Sequence, residues 1–259
     1  MHVGIILPNF DEHASAAGVR SVAEAAEEHG FDSVWATEHI IVGREAVKPY
    51  GRVLDPLSTL SWIAGWTERI GLGTSIVLVP LHHPIRLAKE VATLEELSGG
   101  RFTLGVGVGW HQDEFRFMGI PFEARGRRAD EALRLMKALW AGEREFHGEL
   151  WSFEDATFAP RPSRTPEIWV GGGSDRAVRR ALELGDVWHP SRSADLDRVR
   201  EVKQRHSELR VVPRIGVRSA DDAKAKLDAY ATAGCEGVIL SFGAQPGRIV
   251  ASMRELAAA

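Results

Sequence analysis

Along the chain, short continuous apolar runs alternate with stretches in which apolar residues recur every three or four positions. Val3–Leu7, Ser33–Ala36, Ile76–Val79, Phe102–Val108, Ile168–Val170, Asp186–Trp188, Leu209–Val217 and Gly237–Ser241 have the length of strands. Continuous rather than alternating apolar runs suit strands covered on both faces, as in a parallel sheet. Between them Val19, Val22, Ala23 and Ala26 mark one face of a helix. Leu87, Val91, Leu94 and Leu97 mark another, and Ala132, Leu133, Met136, Leu139 and Trp140 a third. Pro84 near the start and Gly99-Gly100 past the end bound the second of these helices. Asp55-Pro-Leu57 opens a helix through Trp66, and Ser219-x-x-Asp222 is a capping signature. Strands each followed by a helix, across 259 residues without a linker, predict an α/β fold. The spacing is that of a (β/α)8 TIM barrel, formed as a single domain over 1–259.

Two stretches break the rhythm. Ile40 to Leu54 is a loop of about fifteen residues, a length usually tied to function or motion. In Glu143 to Arg161, Phe146, Trp151, Phe153 and Phe158 alternate with polar residues ahead of Pro160, Pro162 and Pro166. This pattern predicts a hairpin-like insertion after the fourth strand region. Trp62, Trp66 and Trp140 fall in helical periodicity and are assigned to the core. Trp35, Trp110 and Trp188 fall at strand ends, where a planar ligand could touch one of them.

Composition narrows the partner. Lys plus Arg number 32 against 36 Asp plus Glu, a net charge of -4 with no long run of either sign. Neither nucleic acid nor an anionic membrane is expected, and a small-molecule substrate is. Cys235 is the single cysteine, which fits a reducing compartment and excludes an internal disulfide. Met1 to Asn9 has no leader pattern and no apolar segment is long enough to span a bilayer, so a cytoplasmic protein is expected.

In a barrel, everything that follows a strand faces one end, where active sites lie. Four candidates converge there: Glu38-His39, Thr74-Ser75, Gly107 to Glu114, and Gly171 to Arg176. In Gly171-Gly172-Gly173-Ser174-Asp175-Arg176 the glycines allow backbone N–H groups to approach an anion while the next helix offers its positive end, so a phosphate fits. The alternative is a βα turn with Ser174 or Asp175 as N-cap. Gly105-x-Gly107-x-Gly109 is not the dinucleotide fingerprint and reads as close packing. His39 could act as acid, base or hydrogen-bond donor, or be structural beside Glu38. His82-His83 lacks further ligands at metal spacing, and H-E-x-x-H, C-x-x-C and G-x-S-x-G are all absent, so no metal site is expected.

The chain resembles the bacterial luciferase-like flavin and deazaflavin oxidoreductases, most closely the branch that uses coenzyme F420. The resemblance lies in Trp35-Ala-Thr-Glu-His39, Leu72-Gly-Thr-Ser-Ile76, His83-Pro84 with Leu87-Ala-Lys89, and Ala92-Thr-Leu-Glu with Leu97-Ser-Gly-Gly-Arg101. It continues through Leu104-Gly-Val-Gly-Val-Gly-Trp110, Glu114-Phe115, Pro160-Arg-Pro162 and Ile168-Trp-Val-Gly-Gly172. It implies a barrel with the flavin or deazaflavin ring in its mouth, the ribityl phosphate near the Gly171 loop, and a non-prolyl cis peptide at Ser75-Ile76. His39 matches the histidine of the family's dehydrogenases and would polarise or protonate a substrate oxygen. The implied cofactor-binding set is Glu38, Thr74, Ser75, Ile76, Gly107, Gly109, Trp110, Gly171, Gly172, Gly173, Ser174 and Arg176. Where those dehydrogenases carry a tryptophan four residues beyond the histidine and a carboxylate after the glycine-rich strand, Gly43 and Trp110 stand here. The expected activity is F420-dependent hydride transfer to or from a small organic molecule. The alternatives are an FMN-dependent monooxygenase and a cofactor-binding protein without turnover. A homodimer is expected from the same resemblance.

Overall fold

The structure, a computed structural model, describes residues 1–191 and 195–258. Its strands are β1 (His2–Ile6), β2 (Ser33–Ala36), β3 (Gly71–Thr74), β4 (Phe102–Gly107), β5 (Glu167–Gly171), β6 (Val187–His189), β7 in two pieces (Arg210–Val211 and Arg214–Gly216) and β8 (Gly237–Ser241). They pair in parallel in the order β6-β5-β4-β3-β2-β1-β8. The two pieces of β7 close the ring: Arg210 and Val211 pair with Val187 and Trp188 of β6, and Arg214 to Gly216 pair with Ile239 to Ser241 of β8. The interruption falls at Pro213, whose missing N–H cannot join a ladder, although its carbonyl accepts from the Ile239 N–H at 2.8 Å. The chain therefore folds as the expected (β/α)8 barrel.

The helices lie outside. Ala16–Glu28, Pro56–Ala64, Pro84–Leu97, Arg125–Ala141, Asp175–Leu184, Leu196–Arg205, Ala220–Thr232 and Pro246–Ala257 each follow a strand. Their apolar faces and the outward side chains of the strands form the main core. A second, smaller core fills the barrel itself, where Ile6, Trp35, Trp169, Val187 and Ile239 meet. Trp35 and Trp169 lie 4.5 Å apart between ring centroids, and the Trp35 indole N–H donates to Ser33 Oγ at 2.7 Å. Trp35 is thus barrel filling. Trp188 alternates to the outer face, where its indole donates to the Gly172 carbonyl at 2.7 Å. Among the described residues no helix is long and apolar enough to cross a membrane.

Several local expectations shift. The third strand occupies Gly71–Thr74, and the apolar run Ile76–Val79 contributes only the two-residue strand Val77–Leu78 after a bulge. The Ile40 to Leu54 loop contains two short helical turns, Arg44–Ala46 and Val47–Tyr50. Trp62 is 40% exposed, packed edge-on against Trp66, and so is not a core residue. Leu97, at the last turn of its helix, has run past the barrel and is 65% exposed. The hairpin in the insertion is present, pairing Phe146 with Phe153 and His147 with Ser152. Its turn is tied to the barrel by Glu131, whose buried carboxylate accepts from the N–H groups of Glu149, Leu150 and Trp151 at 2.7 to 3.1 Å.

Candidate active site

The floor of the barrel mouth is the bulge after β3. The Ser75–Ile76 peptide is cis, as the resemblance implied. The Thr74 carbonyl, just before it, faces β4, where a Cβ on Gly105 would stand 1.7 Å from that oxygen. Only glycine fits there. Gly107 meets the end of the Ile76 side chain in the same way, so the glycine alternation in β4 is set by close packing against the bulge. The Thr74 hydroxyl donates to the Gly105 carbonyl at 2.8 Å and is fully buried, which places it behind the mouth.

Ser75 is held from three sides. Its carbonyl accepts from Arg214 Nη1 at 2.8 Å and from the Thr37 hydroxyl at 3.3 Å, and Arg214 also donates to that hydroxyl at 3.0 Å. Its own hydroxyl lies 2.9 Å from His189 Nε2. The other ring nitrogen of His189 faces the Val212 carbonyl, which can only accept, so the proton sits on Nδ1 and Nε2 accepts from Ser75. Burial drives the His189 pKa from 6.5 down to about 4, against the pull of the Val212 carbonyl and with help from Arg214. The imidazole is neutral throughout the physiological range.

Two carboxylates organise the rim. One oxygen of Glu38 accepts from the Leu78 N–H at 2.6 Å, and His82 Nε2 lies within 3.0 to 3.1 Å of both oxygens. Burial opposes charge on His82, but the hydrogen bond and charge of Glu38, with Glu90 and Asp55 farther away, outweigh it and raise its pKa. Glu114, only 1% exposed, accepts from the Ile40 N–H at 2.6 Å through Oε1 and from His39 Nδ1 at 2.9 Å through Oε2. That leaves Nε2 as the uncommitted nitrogen of a ring that borders the mouth cavity. The Tyr50 ring packs 4.2 Å from that of His39, and Trp110 stands edge-on at 5.9 Å. Gly43 closes the neighbouring turn: its N–H donates to His111 Nε2 at 2.9 Å, and a side chain there would first have to displace Asp113. The aromatic wall beside His39 is supplied by Tyr50 and by Trp110, itself 60% exposed.

These groups border a cavity of about 380 Å³, within the usual range for small-molecule sites. Of the residues singled out in the sequence, Glu38, His39, Ser75, Ile76, Gly107, Gly109, Trp110, Gly171 and Gly172 line it. Thr74, Gly173, Ser174 and Arg176 do not. The Ser174 hydroxyl caps its helix, accepting from the Ala177 N–H at 3.3 Å, and Arg176 turns into a groove outside the barrel between helices 125–141 and 175–184. Thr37, from the Trp35–His39 motif, and Tyr50, from the long Ile40–Leu54 loop, also line the cavity, as do His189, Ser191 and Arg214, which carried no signal in the sequence. Glu114 fell within a candidate stretch, but nothing linked it to His39, 75 positions away. Among the described residues no cluster of three His, Cys, Asp or Glu side chains is placed to hold a metal ion.

The cavity suits a flat ring with a phosphate tail. Its floor at Ile76 and its edge at Gly107, Gly171 and Gly172 present backbone or aliphatic surface. The Gly171–Gly172 edge leads to the N-terminus of helix 175–184, whose first N–H groups have no partner within the helix. The family model for luciferase-like monooxygenases matches residues 1–255. The chain belongs to that family. Within this luciferase-like group, an F420-dependent glucose-6-phosphate dehydrogenase of Kineococcus radiotolerans is 38% identical over 169 residues, covering 63% of this chain and 49% of that enzyme. The oxygenase component of a flavin-dependent trigonelline monooxygenase of Acinetobacter baylyi is 30% identical over 168 residues, covering 63% and 45%. The chain thus matches about half the length of either enzyme. An F420-dependent secondary alcohol dehydrogenase, solved with an F420-acetone adduct, superposes with a TM-score of 0.83 over 98% of this chain and 97% of its own, at 15% identity. That likeness shows the luciferase-like barrel. The family holds both F420-dependent and flavin-dependent oxidoreductases.

Proposed function

We propose that the protein is an oxidoreductase that binds coenzyme F420 in the barrel mouth and transfers hydride to or from a small organic substrate. The observation that carries this reading is the Glu114–His39 pair at the cavity rim. Bound F420 would supply the carbon that accepts or gives up hydride. Moving hydride between that carbon and a carbonyl or carbinol carbon requires a proton to be delivered to, or taken from, the substrate oxygen. His39 is the rim side chain suited to do so. Glu114 fixes Nδ1 as a donor and thereby points the other nitrogen at the cavity, the arrangement that positions an acid or base for proton transfer. Tyr50 and Trp110 restrict how the ring can turn. Ser75, clamped by His189, Arg214 and Thr37, holds the bulge on which the cofactor ring would rest. The Gly171–Gly172 edge and the helix start beyond it are the anion-binding end.

A flavin-dependent monooxygenase is the second reading, favoured by the trigonelline monooxygenase relative. A deazaflavin does not readily activate oxygen, so the choice of cofactor decides the reaction class. Separate fluorescence titrations of the purified protein with F420 and FMN test this. Tight F420 binding is expected, and FMN binding without F420 binding would overturn the proposal. The same reading carries a homodimer, which a monomeric mass at micromolar concentration would exclude.

A further inference from the structure

A second pocket adjoins the mouth. The loop that follows His39 folds over a concavity of about 400 Å³ lined by Ile40, Ile41, Val42, Val47, Val53 and Leu54, and bordered by His39 and Tyr50. His39 and Tyr50 also line the mouth cavity, so their rings, 4.2 Å apart and tilted by 38°, form the partition between the two spaces. The one charged residue in this lining, Arg52, has its Nε tied to the Ala14 carbonyl at 2.9 Å. On the cavity side, Glu38 and Glu114 have both oxygens engaged. Ile40, Ile41 and Val47 are each close to half exposed. Large apolar side chains left open around a concave pocket are those a ligand gains most by covering.

We infer that this pocket is a substrate subsite that takes the hydrocarbon portion of an uncharged ketone or alcohol, whose oxygen then lies at His39. The assignment rests on the proposed function for the role of that oxygen. The apolar subsite itself is a matter of binding. An aliphatic chain leaving the oxygen-bearing carbon would pass the edge of Tyr50 and displace water from Ile41, Val47 and Val53. Tyr50 is a specificity-determining residue in this arrangement, because it stands against both the reacting end and the chain.

Calorimetric titration with 2-butanone, 2-hexanone and 2-octanone tests the subsite, on unloaded protein and on protein loaded with whichever of F420 or FMN binds. Affinity is expected to rise roughly threefold to fourfold per methylene until the pocket is full. Val47→Asp, at an exposed position that should tolerate the change, is expected to flatten that rise while leaving cofactor affinity unchanged. Hexanoate is expected to bind more weakly than 2-hexanone. Affinity that does not depend on chain length, a rise that survives both Val47→Asp and Ile41→Asp, or tighter binding of hexanoate would each overturn the assignment. So would a Val47→Asp protein that binds the ketones normally but changes its mass in solution, since the patch would then be a contact between copies. Chain-length-dependent binding without hydride transfer supports the subsite and counts only against the proposed function. F420-dependent turnover without chain-length dependence does the reverse.

Discussion

Glutamates hold backbone at both ends of the barrel, and the two ends use them differently. At the bottom, where strands begin, Glu27 accepts from the N–H groups of Glu68, Arg69 and Ile70, Glu95 from that of Phe102, and Glu236 from that of Val211. Cationic side chains stand beside two of them, Arg164 beside Glu95 and Lys203 beside Glu236. At the mouth, Glu38 and Glu114 also accept from backbone, but each gives its remaining capacity to a histidine. A carboxylate that accepts from N–H groups, with or without a cation beside it, holds a loop in place. A carboxylate shared with an imidazole also sets which nitrogen of a titratable ring is left for chemistry.

The largest effect expected from this contrast is at His39. His39→Ala should lower kcat with the cofactor that binds by about 10²- to 10⁴-fold, the usual contribution of a positioned acid or base. Glu114→Gln, which keeps the size but puts an amide donor against either the Ile40 N–H or His39 Nδ1–H, should lose a large part of the same factor and alter the pH profile of kcat. If both variants keep the parent rate while binding cofactor normally, the pair is structural and the contrast between the ends disappears.

Next in size is a pH effect on stability. His189 titrates near 4 in the folded protein and near 6.5 when unfolded, so the unfolded chain binds the extra proton first as pH falls. Stability carried by the neutral ring is therefore intact above about pH 6.5 and is lost toward pH 4, by about 3 kcal/mol in all. Urea unfolding of the parent and His189→Asn from pH 7 to pH 4 should show their difference in stability moving by about that amount in favour of the variant. His82 has the opposite sign. Its raised pKa gives stability that is complete below the unfolded value and lost as pH rises through the folded one. The variant His82→Gln should accordingly compare worst with the parent at low pH.

The ends of the barrel were unequally legible in the sequence. Strand and helix succession showed through because burial on both faces leaves continuous apolar runs, and His39 showed because it lies just past the end of β2, in the Trp35–His39 motif. The limits of β3 did not, since a bulge interrupts the ladder after Thr74 and the apolar run Ile76 to Val79 rejoins it only at Val77–Leu78. Glu114, His189 and Arg214 gained their places from ring closure, which brings strand ends together from distant parts of the chain, and no local pattern encodes that. The spacing of the β4 glycines reads as close packing, and the bulge is what Gly105 and Gly107 pack against. Trp62 stands outside the core because helical periodicity marks a stripe and does not say where the stripe leaves the core.

At the bottom, Glu27 offers the control. Burial alone would raise its pKa, but the N–H groups of Ile70, Arg69 and Glu68, with the charge of Arg69, outweigh it and hold the pKa low. The stability this gives is present above the unfolded pKa and lost as pH falls through the folded one. Glu27→Ala frees three N–H groups to solvent and should cost about 2 kcal/mol in urea unfolding at pH 7, since the site is partly exposed and each bond counts less than a buried one. Turnover per folded molecule should be unchanged. A fall in kcat comparable to that of Glu114→Gln would show that the bottom of the barrel acts on the mouth.

The smallest effect separates two roles of one hydroxyl. Ser174 accepts from the Ala177 N–H as N-cap of helix 175–184 and lies beyond the cavity lining, yet its proton remains available to a phosphate at the Gly171–Gly172 edge. Loss of the cap in Ser174→Ala should cost about 1 kcal/mol in the unloaded protein, whereas Ser174→Gly should cost only a few tenths, because glycine is itself tolerated at an N-cap. Both variants lack the oxygen. If the hydroxyl also donates to the phosphate, both should lose cofactor affinity equally, by about tenfold, despite their unequal stabilities. Affinities within about twofold of the parent in both variants would leave Ser174 as a cap alone and confine the phosphate to the backbone N–H groups of the loop.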